Sequence, residues 1–124
     1  VVARALRRRF KRLAQDARAF PALESDDQHR VRKRAKELRY ALAFAGSLFP
    51  ARRLRRFHRR LEVVQETLGA YTDVLTGLAL VRRAEGADPA VAFARGWLMG
   101  RHEATLAACV KPLTRLAKTD PPWG

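Results

Sequence analysis

Cysteine is nearly missing from this chain: Cys109 is the only one in 124 residues. A single thiol excludes an intrachain disulfide and fits a reducing interior. Long apolar runs are missing too. None approaches the roughly 20 residues that a membrane-spanning helix needs, and no leader-like segment opens the chain. There is no Gly-rich phosphate loop, no GxSxG elbow and no HExxH pair. The three histidines, His29, His58 and His102, fall on different predicted helices. His58 and Glu62 are four residues apart and could share a metal, but two ligands without a third do not make a site, so they read as a solvated helix pair. His102 reads as a hydrogen-bonded core histidine and Cys109 as a small buried hydrophobe. Asp73, near Gly69, reads as a cap. No catalytic residue, metal or cofactor is expected, and the chain reads as a protein that is not an enzyme.

Acidic residues are scarce in one half only. Residues 1–60 hold 19 Lys or Arg against 5 Asp or Glu, whereas residues 61–124 hold 7 of each, so the whole net charge of +14 sits in the first half. Such a concentration is the footprint of a polyanion site. A hydrophobic content of 48% argues for a folded domain and against a disordered basic tail. At this length a single domain, 1–124, can bury a core without disulfide or metal. The chain begins Val-Val-Ala and its only methionine is Met99, which suggests a piece of a longer protein.

No strand-like alternation is present, and helical periodicity runs throughout. In helix one, about 1–19, Leu6, Phe10, Leu13 and Ala17 form an apolar stripe, with Arg4, Arg7, Arg8, Lys11 and Arg18 opposite. Helix two, about 29–49, sets Val31, Ala35, Leu38, Leu42, Ala45 and Phe49 against His29, Arg32, Lys33, Lys36, Arg39 and Tyr40. Shifted by 25 residues, Arg4, Arg7, Arg8 and Lys11 superpose on His29, Arg32, Lys33 and Lys36. If the two helices pack side by side, their basic stripes can merge into one strip. Asp26 or Asp27 is the expected N-cap of helix two. Helix three, about 51–68, buries Leu54, Phe57, Leu61, Val64 and Leu68, and its Arg55 and Arg59 project away from the basic face. Gly69 reads as a C′ residue, with Thr72 or Asp73 capping a short helix to about Glu85. Gly86-Ala87-Asp88-Pro89 supplies a turn, an Asp N-cap and a proline at the first helical position. The last helix runs to about Lys118, with Phe93, Leu98, Thr105, Cys109 and Leu116 inward and a kink at Pro112. Trp123 is expected to fold back onto the bundle. The fold class is all-α: an antiparallel four-helix bundle, or five helices if the break at Gly69 is counted.

Anion binding is the chemistry these residues suit. Guanidinium and ammonium groups bind phosphate oxygens, and hydroxyl or imidazole donors such as Tyr40, Ser47 and His29 fill the remaining lone pairs. His29, placed at the start of its helix, would add free backbone N–H groups. Readers of single-stranded nucleic acid interleave aromatics with cations, yet Tyr40 is the one aromatic on either stripe, while Phe10, Phe44, Phe49 and Phe57 fall at apolar faces or their margins. No duplex-reading motif is evident. A face of charges without base readers suits a polymer that is all backbone.

The run His29-Arg30-Val31-Arg32-Lys33-x-x-Lys36-x-Leu38-Arg39-Tyr40-Ala41-Leu42 resembles the HxLRxxxKxLRYxLE signature of the CHAD domain, the conserved-histidine α-helical domain. Gln65, Leu68, Gly69 and Asp73 are similar to that family's LQxxLGxxxD, and Pro122-Trp123 resembles its Pro-aromatic end. Ala43 stands where the signature has Glu, and Val31 where it has Leu. The resemblance implies two similar four-helix halves around a basic channel that binds inorganic polyphosphate, with some members on polyphosphate granules. This chain corresponds to the second half. Carried over, His29, Arg32, Lys36, Arg39 and Tyr40 face the channel; Lys33, Arg4, Arg7, Arg8 and Lys11 are added from the stripe geometry. Gln65, Gly69 and Asp73 then read as a tight junction holding the channel walls.

The expectation is a non-catalytic polyphosphate-binding module, cytoplasmic and on polyphosphate granules, using a basic face on helices one and two. An RNA- or DNA-backbone binder is the runner-up, and an accessory domain of a phosphate-processing enzyme is third. No membrane partner is expected. Cut from its other half, the chain should expose apolar side chains beside the basic strip and pair with a copy of itself, as a homodimer.

Overall fold

A computed structural model describes residues 1–84, 86 and 88–123. Four α-helices follow one another: α1 Val2–Ala19, α2 Ser25–Ala45, α3 Ala51–Arg83 and α4 Pro89–Ala117. Short 3-10 turns, Phe20–Ala22 and Gly46–Leu48, follow the first two. Each helix packs on its neighbours in chain order, and α1 closes the ring against α4. The helices alternate in direction. Arg9 meets Glu37 between α1 and α2. Gln28 meets Tyr71 between α2 and α3, and Cys109 meets Thr67 between α4 and α3.

The apolar stripes build one core that draws on all four helices. Leu6, Leu13 and Ala17 meet Val31, Ala35, Leu38 and Leu42, with Phe57, Leu61, Val64 and Leu68 from α3 and Cys109, Leu113 and Leu116 from α4. Trp123 folds back as expected. Its ring lies edge-on to Phe10 at 5.7 Å, Phe57 at 5.4 Å and Phe49 at 6.4 Å. The start of α4 also follows its local chemistry: Asp88 caps it by accepting from the Ala90 N–H at 2.9 Å, and Pro89 sits in the first turn.

Several expectations are corrected. There is no break at Gly69. α3 runs through it for 33 residues, and Gly69 has no positive φ, so Thr72 and Asp73 cap nothing; the hydroxyl of Thr72 donates back to the Leu68 carbonyl. One helix-interior glycine costs about 1 kcal/mol, and the unbroken buried series Phe57, Leu61, Val64, Leu68, Tyr71 and Val74 outweighs it. Glu85, the expected end of the short helix, and Ala87 of the turn lie outside the described residues, as does Gly124. α2 starts earlier than its expected caps: it opens at Ser25, and Asp26 and Asp27 occupy its first turn, where carboxylates complement the helix dipole. α4 continues through Pro112 to Ala117.

Phe93, expected inward, is 75% exposed. The reason is helix length. α1 ends beside Tyr71, which Phe20 touches edge-on at 5.9 Å, so the last third of α3 and the first third of α4 extend beyond α1 and α2. Leu80, Trp97 and Met99 are exposed on the same extension.

Candidate functional site

The basic face of α2 is assembled by helical periodicity. Val31, Ala35, Leu38 and Leu42 are buried, which turns His29, Arg32, Lys33, Lys36 and Tyr40 outward and leaves Arg39 half-buried. Lys36 Nζ lies 5.9 Å and the Arg39 guanidinium 5.6 Å from the centre of the Tyr40 ring. At an exposed site such contacts contribute about 0.5–1 kcal/mol each and gather two cations around one aromatic ring. None of Arg32, Lys33, Lys36 and Arg39 has a carboxylate partner among the described residues. His29 is placed differently from expectation. It is the fifth residue of α2, so its own N–H lies inside the helix ladder and only its imidazole is offered to an anion.

α1 and α2 do pack side by side, but their basic stripes do not merge. The exposed seam between them carries two ion pairs, Arg9–Glu37 at 3.0 Å and Arg34–Asp16. On α1, Arg7 and Lys11 stand about 160° around the helix from Arg9 and border a groove with Phe10, Arg18, Asp120 and Trp123 of the C-terminal tail. Arg4 and Arg8 flank them on the same stripe. On α2 and the 3-10 turn that follows it, Gln28, Arg32, Arg39, Ala43 and Gly46 form a ridge with helical spacing, and its two ends contact α3. The Gln28 side chain accepts from the Tyr71 hydroxyl at 2.9 Å. At Gly46, an added Cβ would lie 2.8 Å from Leu54 Cδ2. The α2 stripe therefore belongs with α3, and the α1 stripe with the tail.

This register changes the reading of α3. Arg55 and Arg59, expected to project away from the basic face, line an open groove together with His58 and with Ala43, Gly46 and Ser47 from the end of α2 and the turn after it. His58 pairs with Glu62 at 3.2 Å, as its spacing suggested. Gln65 follows His58 by seven residues, so it faces α2 as well, and its Oε1 is buried without a hydrogen-bond partner. One turn on, a Cβ on Gly69 would meet nothing within 4 Å beyond its own stretch of helix. Gln65 and Gly69 thus form the open floor of a trough, not a junction between helices. Asp73 is exposed.

Two residues that hold this trough escaped sequence reasoning. Gln28 is buried, and its Nε2 donates to the Phe20 carbonyl at 3.1 Å while its Oε1 accepts from Tyr71. Its position three residues before Val31, on the apolar stripe, is the signal that could have found it. Tyr71 also touches His102, hydroxyl oxygen to Nε2 at 3.4 Å; His102 thus has the polar partner expected of it, but it is half-buried at the margin and not in the core. Burial, and secondarily the nearby Cys109, raises the Tyr71 hydroxyl above its usual pKa against the lowering effect of Gln28. Burial likewise pushes the Cys109 thiol up. Its Sγ–H is committed to the carbonyls of Thr67 and Thr105, the behaviour of a packed, unreactive cysteine.

Phe44 is also corrected. It is not at an apolar margin but 90% exposed, one turn from Tyr40, with Leu48 exposed beyond it. An apolar ridge therefore does stand beside the basic stripe. Among the described residues no group of three or more His, Cys, Asp or Glu could hold a metal, and no helix is long and apolar enough to cross a membrane.

No curated protein and no solved structure matches this sequence. The sequence model of the CHAD domain matches residues 1–82, two thirds of the chain, from the start of α1 to the last turn of α3, and so contains both walls of the trough. The chain belongs to the CHAD domain family.

Proposed function

We propose that this chain is a non-catalytic module that binds inorganic polyphosphate along the α2–α3 trough. CHAD domains in general bind polyphosphate. The observation that carries the reading for this chain is the row Arg32, Lys33, Lys36 and Arg39, unpaired with any carboxylate among the described residues and gathered beside the exposed Tyr40. Four unopposed cations on one helix repel each other and are relieved by a polyanion. His29 extends the row at one end. Such a protein would sit in the cytoplasm and on polyphosphate granules.

One observation favours the nucleic-acid alternative. Tyr40 and Phe44 are exposed one turn apart, and two adjacent aromatics could stack bases. The same exposed apolar ridge supports pairing with a second copy, and since chains of +14 each repel, bound polyphosphate or high salt should strengthen that pairing. A competition titration of labelled polyphosphate against single-stranded RNA of equal charge, at near-physiological salt, tests the reading. We expect RNA to compete at least tenfold less well, and affinity to fall steeply with salt as counterions are released. Equal competition would favour the stacking alternative. Sedimentation at several salt concentrations, with and without polyphosphate, should show a two-copy species that polyphosphate or high salt strengthens.

A further inference from the structure

The α2 stripe does not end at Tyr40. Ala43 is seven residues beyond Lys36 and continues its face into the groove that Ser47, Arg55, His58 and Arg59 line where α2 ends and α3 begins. Two features make this groove fit for an anion. The first is space: the exposed Ala43 carries almost no side chain where it borders the groove, and Gly46, buried against Leu54, closes the groove's back. The second is charge. Arg55 and Arg59 are one turn apart and exposed, and neither pairs with a carboxylate among the described residues. The one acid lining the groove, Glu62, is engaged with His58 Nδ1 at 3.2 Å. That pairing leaves both guanidiniums free, with the Ser47 hydroxyl as a neutral donor.

We infer that this groove is a second phosphate-binding subsite, in which Arg55 and Arg59 take phosphates of the same polymer strand that Lys36 and Arg39 engage. The inference rests on the polyphosphate reading above and adds to it a dependence on chain length. The cation row from Arg32 to Arg39 rises about 10 Å along the helix, and the groove at Ala43 begins about 6 Å beyond Arg39, at 1.5 Å per residue. A tripolyphosphate seated on the row is used up by it, whereas a long chain can follow the whole path into the groove. Long chains should then sense Arg55 and Arg59 more strongly than tripolyphosphate does.

The test compares the unmodified chain with Arg55→Ala/Arg59→Ala and with Lys36→Ala/Arg39→Ala, each titrated with tripolyphosphate and with long-chain polyphosphate. The replaced side chains are exposed or half-buried, and circular dichroism would verify that the variants stay helical. Removing Arg55 and Arg59 should weaken long-chain binding about tenfold, as expected for two lost phosphate contacts, and leave tripolyphosphate within about twofold. Removing Lys36 and Arg39 should weaken both. Unchanged long-chain affinity in Arg55→Ala/Arg59→Ala would overturn the subsite, as would equal loss for both ligands. If the unmodified chain bound neither ligand better than charge-matched RNA, the polyphosphate reading itself would fall, and the subsite with it.

Discussion

Two grooves flank the α1–α2 pair, and both are rich in Arg and Lys. The one between α2 and α3 is open at Gly69 and at the small, exposed Ala43, with a Gln65 carbonyl that has no partner among the described residues beside it and its lining carboxylate tied to His58. The one between α1 and the C-terminal tail is backed by Trp123 and Phe10 and has Asp120 at its rim. Equal charge thus sits on two different foundations. The first surface leaves donors free and space to approach them, while in the second the tail plugs the groove and its aromatic ring completes the core. Net charge alone does not say where a polyanion binds. What distinguishes the two is the packing beneath the charges.

Reversing charge on one side at a time would break that comparison most sharply. Lys36→Glu/Arg39→Glu and Arg7→Glu/Lys11→Glu change net charge equally. We expect the first pair to weaken polyphosphate binding by roughly a hundredfold at near-physiological salt and the second by no more than about threefold, through long-range field alone. Equal losses in a titration of the two folded variants would mean that only the overall charge counts.

The tail groove should instead reveal itself in stability. Trp123 is 9% exposed and packs against three phenylalanine rings, so Trp123→Ala should cost about 3 kcal/mol in urea unfolding. Trp123→Phe should cost less, because it keeps a ring and removes an indole N–H that is buried without a partner. In both, polyphosphate affinity of the folded protein should stay within about twofold. A folded Trp123→Ala protein that lost its affinity would make the tail part of the site.

What could be read from the sequence follows how local each determinant is. The core stripes of α1 and α2 were legible because burial repeats at the helical period, and Leu6, Leu13, Val31 and Leu38 obey it. The cap at Asp88 was legible because a side chain two residues from Ala90 N–H needs no tertiary partner. The cation row on α2 was legible for the same reason as the stripe it opposes. Its company was not. Whether it joins α1 or α3 depends on the rotation and register of packed helices, which Gln28–Tyr71 and Gly46–Leu54 set from 43 and 8 residues away in sequence. Phe93 and Phe44 were misplaced because exposure there depends on which other helices reach them.

Gly69 gives the smallest expected effect, and its sign separates two pictures of α3. Were Gly69 a left-handed C′ residue ending a helix, Ala there would strain the backbone and destabilise the protein by about 1 kcal/mol. In the continuous helix its φ is ordinary and the added Cβ would meet nothing within 4 Å beyond its own stretch of helix. Gly69→Ala should therefore stabilise the protein by about 0.5–1 kcal/mol, by reducing the entropy lost on ordering a helix-interior glycine. Gly46→Ala is the natural contrast. There the new Cβ would meet Leu54 Cδ2 at 2.8 Å, and the leucine would have to move, so the same substitution should lower stability. Urea midpoints of the two variants, measured at matched m-values, would decide it. A Gly69→Ala midpoint below that of the unmodified chain would show that α3 turns at Gly69 after all. The trough would then lose its straight wall, and with it the alignment of Gln65 and His58 along α2.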